Sequence, residues 1–255
     1  MSTVITVTNQ KGGVGKTTTA INVAFCLAKM GKKTLLVDLD PQGNATSGLA
    51  FDKQDLKKTM TDVMLSEAKL DKVVQSTKFK NLSIAPTTAH LANSEVNLSK
   101  AKGRFTRLKS AIEATKEPYD FIIIDSPPSL GLLTVNGLIA SNYVLIPVQT
   151  EFYALEGVSQ LLESMKLVRK AMNPELELLG VVPTMVDSRT TLSVQVLEEV
   201  KKFFGDKVFK AFVPRNVRLA EAPSHGVPIG VYDRFSKGSK AYRALTKEIL
   251  QRVER

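Results

Sequence analysis

The sequence predicts an α/β fold, a mainly parallel twisted sheet flanked by helices, from three observations. The β-branched run Val4-Ile5-Thr6-Val7-Thr8 leads directly into a glycine-rich turn and then a helical pattern. Short apolar runs alternate with helix-length stretches through the rest of the chain, as parallel strands joined by crossover helices do. The 255 residues are 43% hydrophobic, enough for a large core. With no internal repeat and no linker rich in Pro, Gly or Ser, residues 1–255 read as one domain.

The first strand, Val4 to Thr8, is followed by Gln10-Lys-Gly-Gly-Val-Gly-Lys-Thr-Thr18 and then by a helix over Thr17–Met30, with Ile21, Ala24, Phe25 and Ala28 at helical spacing. Gly12, Gly13 and Gly15 can expose backbone N–H groups at a helix N-terminus, where a polyphosphate finds many donors and little bulk. Lys16 adds charge near the β and γ phosphates, and the Thr17 hydroxyl is placed to ligate Mg²⁺. The strict pattern G-x-x-x-x-G-K-[ST] fails at its first position, which is Gln10, and the loop carries a second lysine, Lys11, that an ordinary phosphate loop lacks.

Further strands are expected at Thr34–Asp38, Leu82–Ala85, Phe121–Asp125, Tyr143–Pro147, Leu178–Val182 and Val208–Val213, with ligands at their carboxyl ends. The polar, lysine-rich segment Asp52–Lys80 reads as a surface excursion. Phe121-Ile-Ile-Ile-Asp125 is a buried strand ending in a carboxylate, where a second Mg²⁺ ligand, acting through water, is needed beside Thr17. Thr34–Asp38 runs into Asp38, Asp40 and a turn at Pro41 and Gly43. Asp40 can reach a water in line with the γ phosphate. Asp38 is open between holding the loop, the outer shell of the metal, and a plain turn aspartate.

Composition narrows the class. The lone Cys26 lies on the apolar side of the first helix and reads as core, so neither a disulfide framework nor a cysteine metal site is expected. No stretch of about 18 apolar residues occurs, and a strand starts almost at once, so a cytoplasmic protein without a secretory leader is expected. The net charge of +10 favours a polyanionic partner, either nucleic acid or an acidic membrane. From Asp187 to Arg255 there are 14 Lys and Arg against 8 Asp and Glu, so this last quarter carries +6 of that excess.

These residues resemble the ParA/MinD family of deviant Walker A ATPases, and within it the chromosomal ParA (Soj) group. The resemblance spans essentially the whole chain. It rests on Lys11–Thr18, Val37-Asp-Leu-Asp-Pro-Gln-Gly-Asn-Ala-Thr46, Ile123-Ile-Asp-Ser-Pro-Pro-Ser-Leu-Gly131, Tyr153-Ala-Leu-Glu-Gly157 and Val213-Pro-Arg-Asn-Val-Arg-Leu-Ala-Glu-Ala-Pro-Ser-His-Gly226. It implies a P-loop NTPase in which Lys11, Gly12, Gly13, Val14, Gly15, Lys16, Thr17 and Thr18 hold ATP and Mg²⁺. Lys11 is implied to reach across a homodimer into the partner's nucleotide. Asp40 is implied to orient the attacking water, Asp125 to be the Walker B carboxylate, and Pro214 and Asn216 to contact the adenine end, with Arg215 left open.

Branches of the family differ in their partner surface. The iron-protein branch needs two cluster cysteines per subunit and is excluded. A phosphate loop that begins at residue 10 leaves no expected helix-turn-helix domain before it. The membrane-binding branch uses a basic amphipathic C-terminal tail. Tyr242, Leu245, Ile249, Leu250 and Val253 form such a stripe here, but a closing helix packed on the sheet explains it equally. A small ParA is therefore expected, binding double-stranded DNA without sequence preference through its ATPase surface. Arg189 and Arg218 are the first choices, followed by Lys201, Lys202, Arg215, Arg234, Lys237 and Lys240. The expected activity is slow, Mg-dependent ATP hydrolysis stimulated by a ParB-type centromere-binding protein, on the nucleoid. The alternative is a MinD-like, membrane- or pole-associated positioning ATPase.

Overall fold

The structure is a computed structural model that describes residues 2–152 and 154–254, with the side chain of Glu156 excluded. Tyr153, in one of the five motifs, lies outside the described residues. The strands are β1 (Thr3–Val7), β2 (Thr34–Asp38), β3 (Gln75–Ser76), β4 (Leu82–Ala85), β5 (Phe121–Asp125), β6 (Tyr143–Gln149) and β7 (Glu177–Thr184). They form one sheet in the order β3-β4-β2-β5-β1-β6-β7, parallel throughout except where β3 meets β4.

The helices follow chain order: α1 (Lys16–Lys29), α2 (Asn44–Gly48), α3 (Met60–Met64), α4 (His90–Lys100), α5 (Arg107–Glu113) and α6 (Leu132–Ala140). After them come α7 (Glu156–Ala171), α8 (Thr191–Phe204), α9 (Val217–Glu221), α10 (Ile229–Tyr232) and α11 (Lys237–Val253). Alternation along each strand sends side chains to opposite faces. Ile5, Val7, Leu36, Ile123 and Leu145 pack with α1 and α11, including Tyr242, Leu245 and Ile249. On the other face Val4, Leu35, Val37, Ile122 and Ile124 meet Met60, Leu91 and Leu108, while Val144, Ile146 and Val181 meet Leu161 and Val200. Cys26 is buried in the first of these clusters, and burial pushes its thiol up to about 11.

Two expectations are corrected. Asp52–Lys80 is not only a surface excursion: Met60, Met64 and Val73 are fully buried and close the far end of the second cluster. Met60, Val63 and Met64 do stand at helical spacing, but over a single five-residue helix set between polar, lysine-rich flanks, too short to stand out as a core element. Val208–Val213 is not a strand but runs beside β7 with isolated bridges at Val181–Val208 and Val186–Pro214. The physical reason is that the Lys210 and Ala211 amides donate instead to the Glu248 carboxylate of α11, both at 3.1 Å, and Pro214 has no amide to give.

Among the described residues no helix is long and apolar enough to cross a membrane. The stripe on α11 is used by the core: Tyr242, Leu245 and Ile249 are buried, and the Tyr242 hydroxyl lies 3.1 Å from Thr19 Oγ1.

Candidate nucleotide site

Three adjacent strands end together. In register, Val7 of β1 stands opposite Asp125 of β5, and Asp125 stands opposite Asp38 of β2. The loop after β1 and the Asp38–Gly43 turn therefore flank Asp125.

The loop is built to expose amides. Gly13 and Gly15 take φ of +75° and +89°, and Gly15 caps α1 with no side-chain acceptor, leaving the helix N–H groups open. A Cβ added at Gly12, Gly13 or Gly15 meets no heavy atom within 4 Å, so the protein itself does not fill the space beside them. Two contacts fix the loop from outside. Asn9 Nδ2 donates to Pro147 O at 2.7 Å while its Oδ1 accepts the Lys11 amide at 3.0 Å. The Thr184 hydroxyl at the end of β7 donates to Val14 O at 2.9 Å. Neither Asn9 nor Thr184 stands out in the sequence, because each acts through a strand distant in the chain.

The two lysines of the loop go to different places. Lys16 is buried, and its Nζ donates to Lys11 O at 3.1 Å. Desolvation lowers its pKa, opposed by Asp125 and Asp40. Lys11 stays at the rim, its Nζ 3.7 Å from Glu151 Oε2, and Arg215 Nη2 lies 3.7 Å from the other oxygen of the same carboxylate. Thr17 and Thr18 are half-buried in the first turn of α1.

Asp125 is fully buried, and neither carboxylate oxygen has a hydrogen-bond donor in good geometry. Burial and then Asp38 push its pKa well up, opposed by the Thr17 hydroxyl and Lys16. Asp38 is also fully buried; its Oδ2 accepts the Thr46 amide at 2.8 Å and the Thr46 hydroxyl at 2.7 Å. Thr46 Oγ1 in turn accepts the Thr87 amide at 3.0 Å, tying β2, α2 and the end of β4 together. Burial raises Asp38 to about 6. Asp40 is nearly buried, and its Oδ1 accepts the Gln42 amide at 3.0 Å.

The remaining expected residues lie on the β7 side. Pro214 bridges Val186, which brings the segment after it alongside the 187–190 turn. Asn216 caps α9, accepting the Arg218 amide at 2.9 Å. Arg189 is exposed and grips Asp187 through Nε and Nη2, at 2.9 and 2.7 Å, which holds the Asp187 carboxyl far below the usual range. Arg218 lies 3.0 Å from Glu221 Oε2. Lys16, Asp38, Asp40 and Asp125 thus converge, while Arg189 and Arg218 lie apart from them on the surface.

The family described as "AAA domain" matches residues 2–178. The chain is 54% identical over 249 residues to the sporulation initiation inhibitor protein Soj of Bacillus subtilis, covering 98% of each. It is 48% identical to the chromosome partitioning protein ParA of Myxococcus xanthus, covering 98% of this chain and 88% of that one. Among solved structures, a Mycobacterium smegmatis protein described as cobyrinic acid a,c-diamide synthase, with ADP and magnesium bound, superposes with a TM-score of 0.88 at 37% identity. The match covers 100% of this chain and 96% of that one. With this loop, these strand-end carboxylates and relatives matched over nearly their full length, the chain belongs to the ParA/MinD family of deviant Walker A ATPases, with the chromosomal ParA (Soj) proteins.

Proposed function

We propose that this chain is a partitioning ATPase whose ATP-bound homodimer holds double-stranded DNA without sequence preference. Hydrolysis, stimulated by a ParB-type centromere-binding protein, releases the DNA and so moves a chromosome or plasmid over the nucleoid in the cytoplasm. One domain, residues 1–255, carries all of this. The observation that carries the reading is the separation of the two loop lysines: Lys16 is buried toward the carboxylates, and Lys11 stays at the rim.

The open amides of Gly12 to Thr18 and the Lys16 ammonium receive the phosphates. Buried, unpartnered carboxylate oxygens on Asp125 beside the Thr17 hydroxyl fit a magnesium ion, held by Thr17 directly and by Asp125 through water. When bound, that ion neutralises charge on the phosphate oxygens. Asp40 orients the attacking water, and its turn is held at one end by the Asp38–Thr46 bonds. Pro214 and Asn216 meet the adenine end. Lys11 leaves Glu151 for the partner subunit's phosphates, which makes the dimer depend on ATP.

Dimerisation joins two basic surfaces centred on Arg189 and Arg218, and doubling the contacts raises avidity without new chemistry. Burial of the α11 stripe favours this over membrane anchoring. The test is Asp40→Ala: size-exclusion chromatography with ATP is expected to show a persistent, DNA-bound dimer with hydrolysis abolished. A monomer in ATP removes Asp40 from the hydrolytic role.

A further inference from the structure

The turn between α10 and α11 presents an exposed aromatic ring in a strongly cationic stretch of the chain. Phe235 is 69% exposed, and Val217, beside Arg218, is 70% exposed. The two segments share one surface. A Cβ on Gly238, in the first turn of α11, would fall 2.8 Å from Leu219 Cγ of α9, and Arg218 Nε stands 4.0 Å from Asp233 Oδ2.

The turn is well braced. Asp233 Oδ1 accepts the Phe235 and Ser236 amides at 3.1 and 3.0 Å, and the Ser236 hydroxyl donates to Asp233 O at 2.8 Å. Ser236 also caps α11, accepting the Ser239 amide at 3.1 Å. The Arg234 guanidinium lies 4.5 Å from the centroid of the Phe235 ring, and Arg243 Nη2 donates to Arg234 O at 3.3 Å. Lys237 and Lys240 are exposed on the next turn. Acidic groups on this surface are already engaged: Asp233 with backbone amides, Glu221 with Arg218 and the Tyr232 hydroxyl.

A rigid apolar ring within a rim of cations matches a partner with anionic edges and an apolar interior. Duplex DNA has both, with phosphates flanking stacked bases and sugars, and apolar side chains set among cations are a recurring way to enter a groove. We propose that Phe235 is an apolar anchor that packs on the sugar and base surface of a DNA groove while Arg218, Arg234 and Lys237 take the flanking phosphates. This rests on the DNA-binding reading above and adds a contact that salt does not screen.

The two kinds of contact separate by experiment on the full chain with ATP. Duplex DNA, heparin as a base-free polyanion, and anionic phosphatidylserine vesicles are titrated with wild type, Phe235→Ala and Phe235→Leu over a range of salt. Phe235→Ala is expected to weaken DNA binding roughly tenfold, the scale of one aromatic contact to a base. The log–log salt slope stays unchanged because no phosphate contact is lost. Phe235→Leu keeps most of the affinity, and heparin binding, dimerisation and ATP hydrolysis stay at wild-type levels. Unchanged DNA affinity, an equal loss on heparin, or a loss on vesicles alone overturns the proposal. A wild-type chain that binds no DNA overturns the parent reading as well, and is recognised because the parent fails along with the variants.

Discussion

Asp38 illustrates how a buried carboxylate constrains the ligand-free protein. Its folded pKa, about 6 against an ordinary 3.8, means that the native state holds a proton the unfolded chain has already released. The sign follows from linkage: between pH 4 and pH 6 Asp38 binds more protons in the native state, so its contribution to stability falls as pH rises and levels off above pH 6, while Asp125, also raised well above its ordinary range, adds a further fall. The span corresponds to on the order of 3 kcal/mol. Urea unfolding of the nucleotide-free protein at pH 4 to 7 is expected to show this fall, reduced in Asp38→Asn, which keeps an acceptor for Thr46 and cannot ionise. Parallel curves for the two proteins refute it. The residue was visible in the sequence as a strand-end aspartate, but its partner was not. Thr46 comes from a five-residue helix, and only the fold shows that its hydroxyl accepts the Thr87 amide.

At the scale of elements, α11 shows what a hydrophobic stripe alone leaves undecided. The same spacing serves a membrane face or a core face; the sheet beneath decides, because Leu245 and Ile249 fill the cluster shared with α1. Leu245→Ala is therefore expected to cost about 2–5 kcal/mol, read as a lowered urea midpoint. A change below about 0.5 kcal/mol, within the scatter of surface substitutions, contradicts that packing. The five inner strands and β7 were legible because each is a continuous apolar run or ends at a recognisable loop. The segment beside β7 was not. Val208–Val213 has strand composition, yet Glu248 captures two of its amides, and no local pattern announces a competitor 37 residues away. The buried methionines of Asp52–Lys80 were hidden in a related way, since an apolar face one helical turn long becomes core only where other helices meet it.

For the whole molecule, the distribution of charge matters more than its sum. The basic excess gathers in the last quarter of the chain, which contributes none of the carboxylates that converge at the strand ends. Arg189→Glu is expected to abolish ATP-dependent DNA binding at 150 mM salt while dimerisation by light scattering is retained. In wild type the log–log salt slope should be about −0.9 per phosphate neutralised. Intact binding by Arg189→Glu moves the surface elsewhere. The chemistry of the nucleotide loop was legible in the sequence because it is contiguous. The Glu151 contacts to Lys11 and Arg215 were not, since they join three segments far apart in the chain, 140 and 64 residues from Glu151.

The shared strand register of Val7, Asp125 and Asp38 has a further consequence. Their alignment is counted in backbone rungs, so a slip of one residue in β2 or β5 displaces a carboxylate by about 3.3 Å and turns it to the opposite face. Such a slip also exchanges the aliphatic side chains between the two buried faces of the strand, so each meets the wrong helical layer and the packing on both sides is lost. Assembly of the sheet therefore proofreads the spacing of the site before any ligand arrives: a chain that has folded has already measured it.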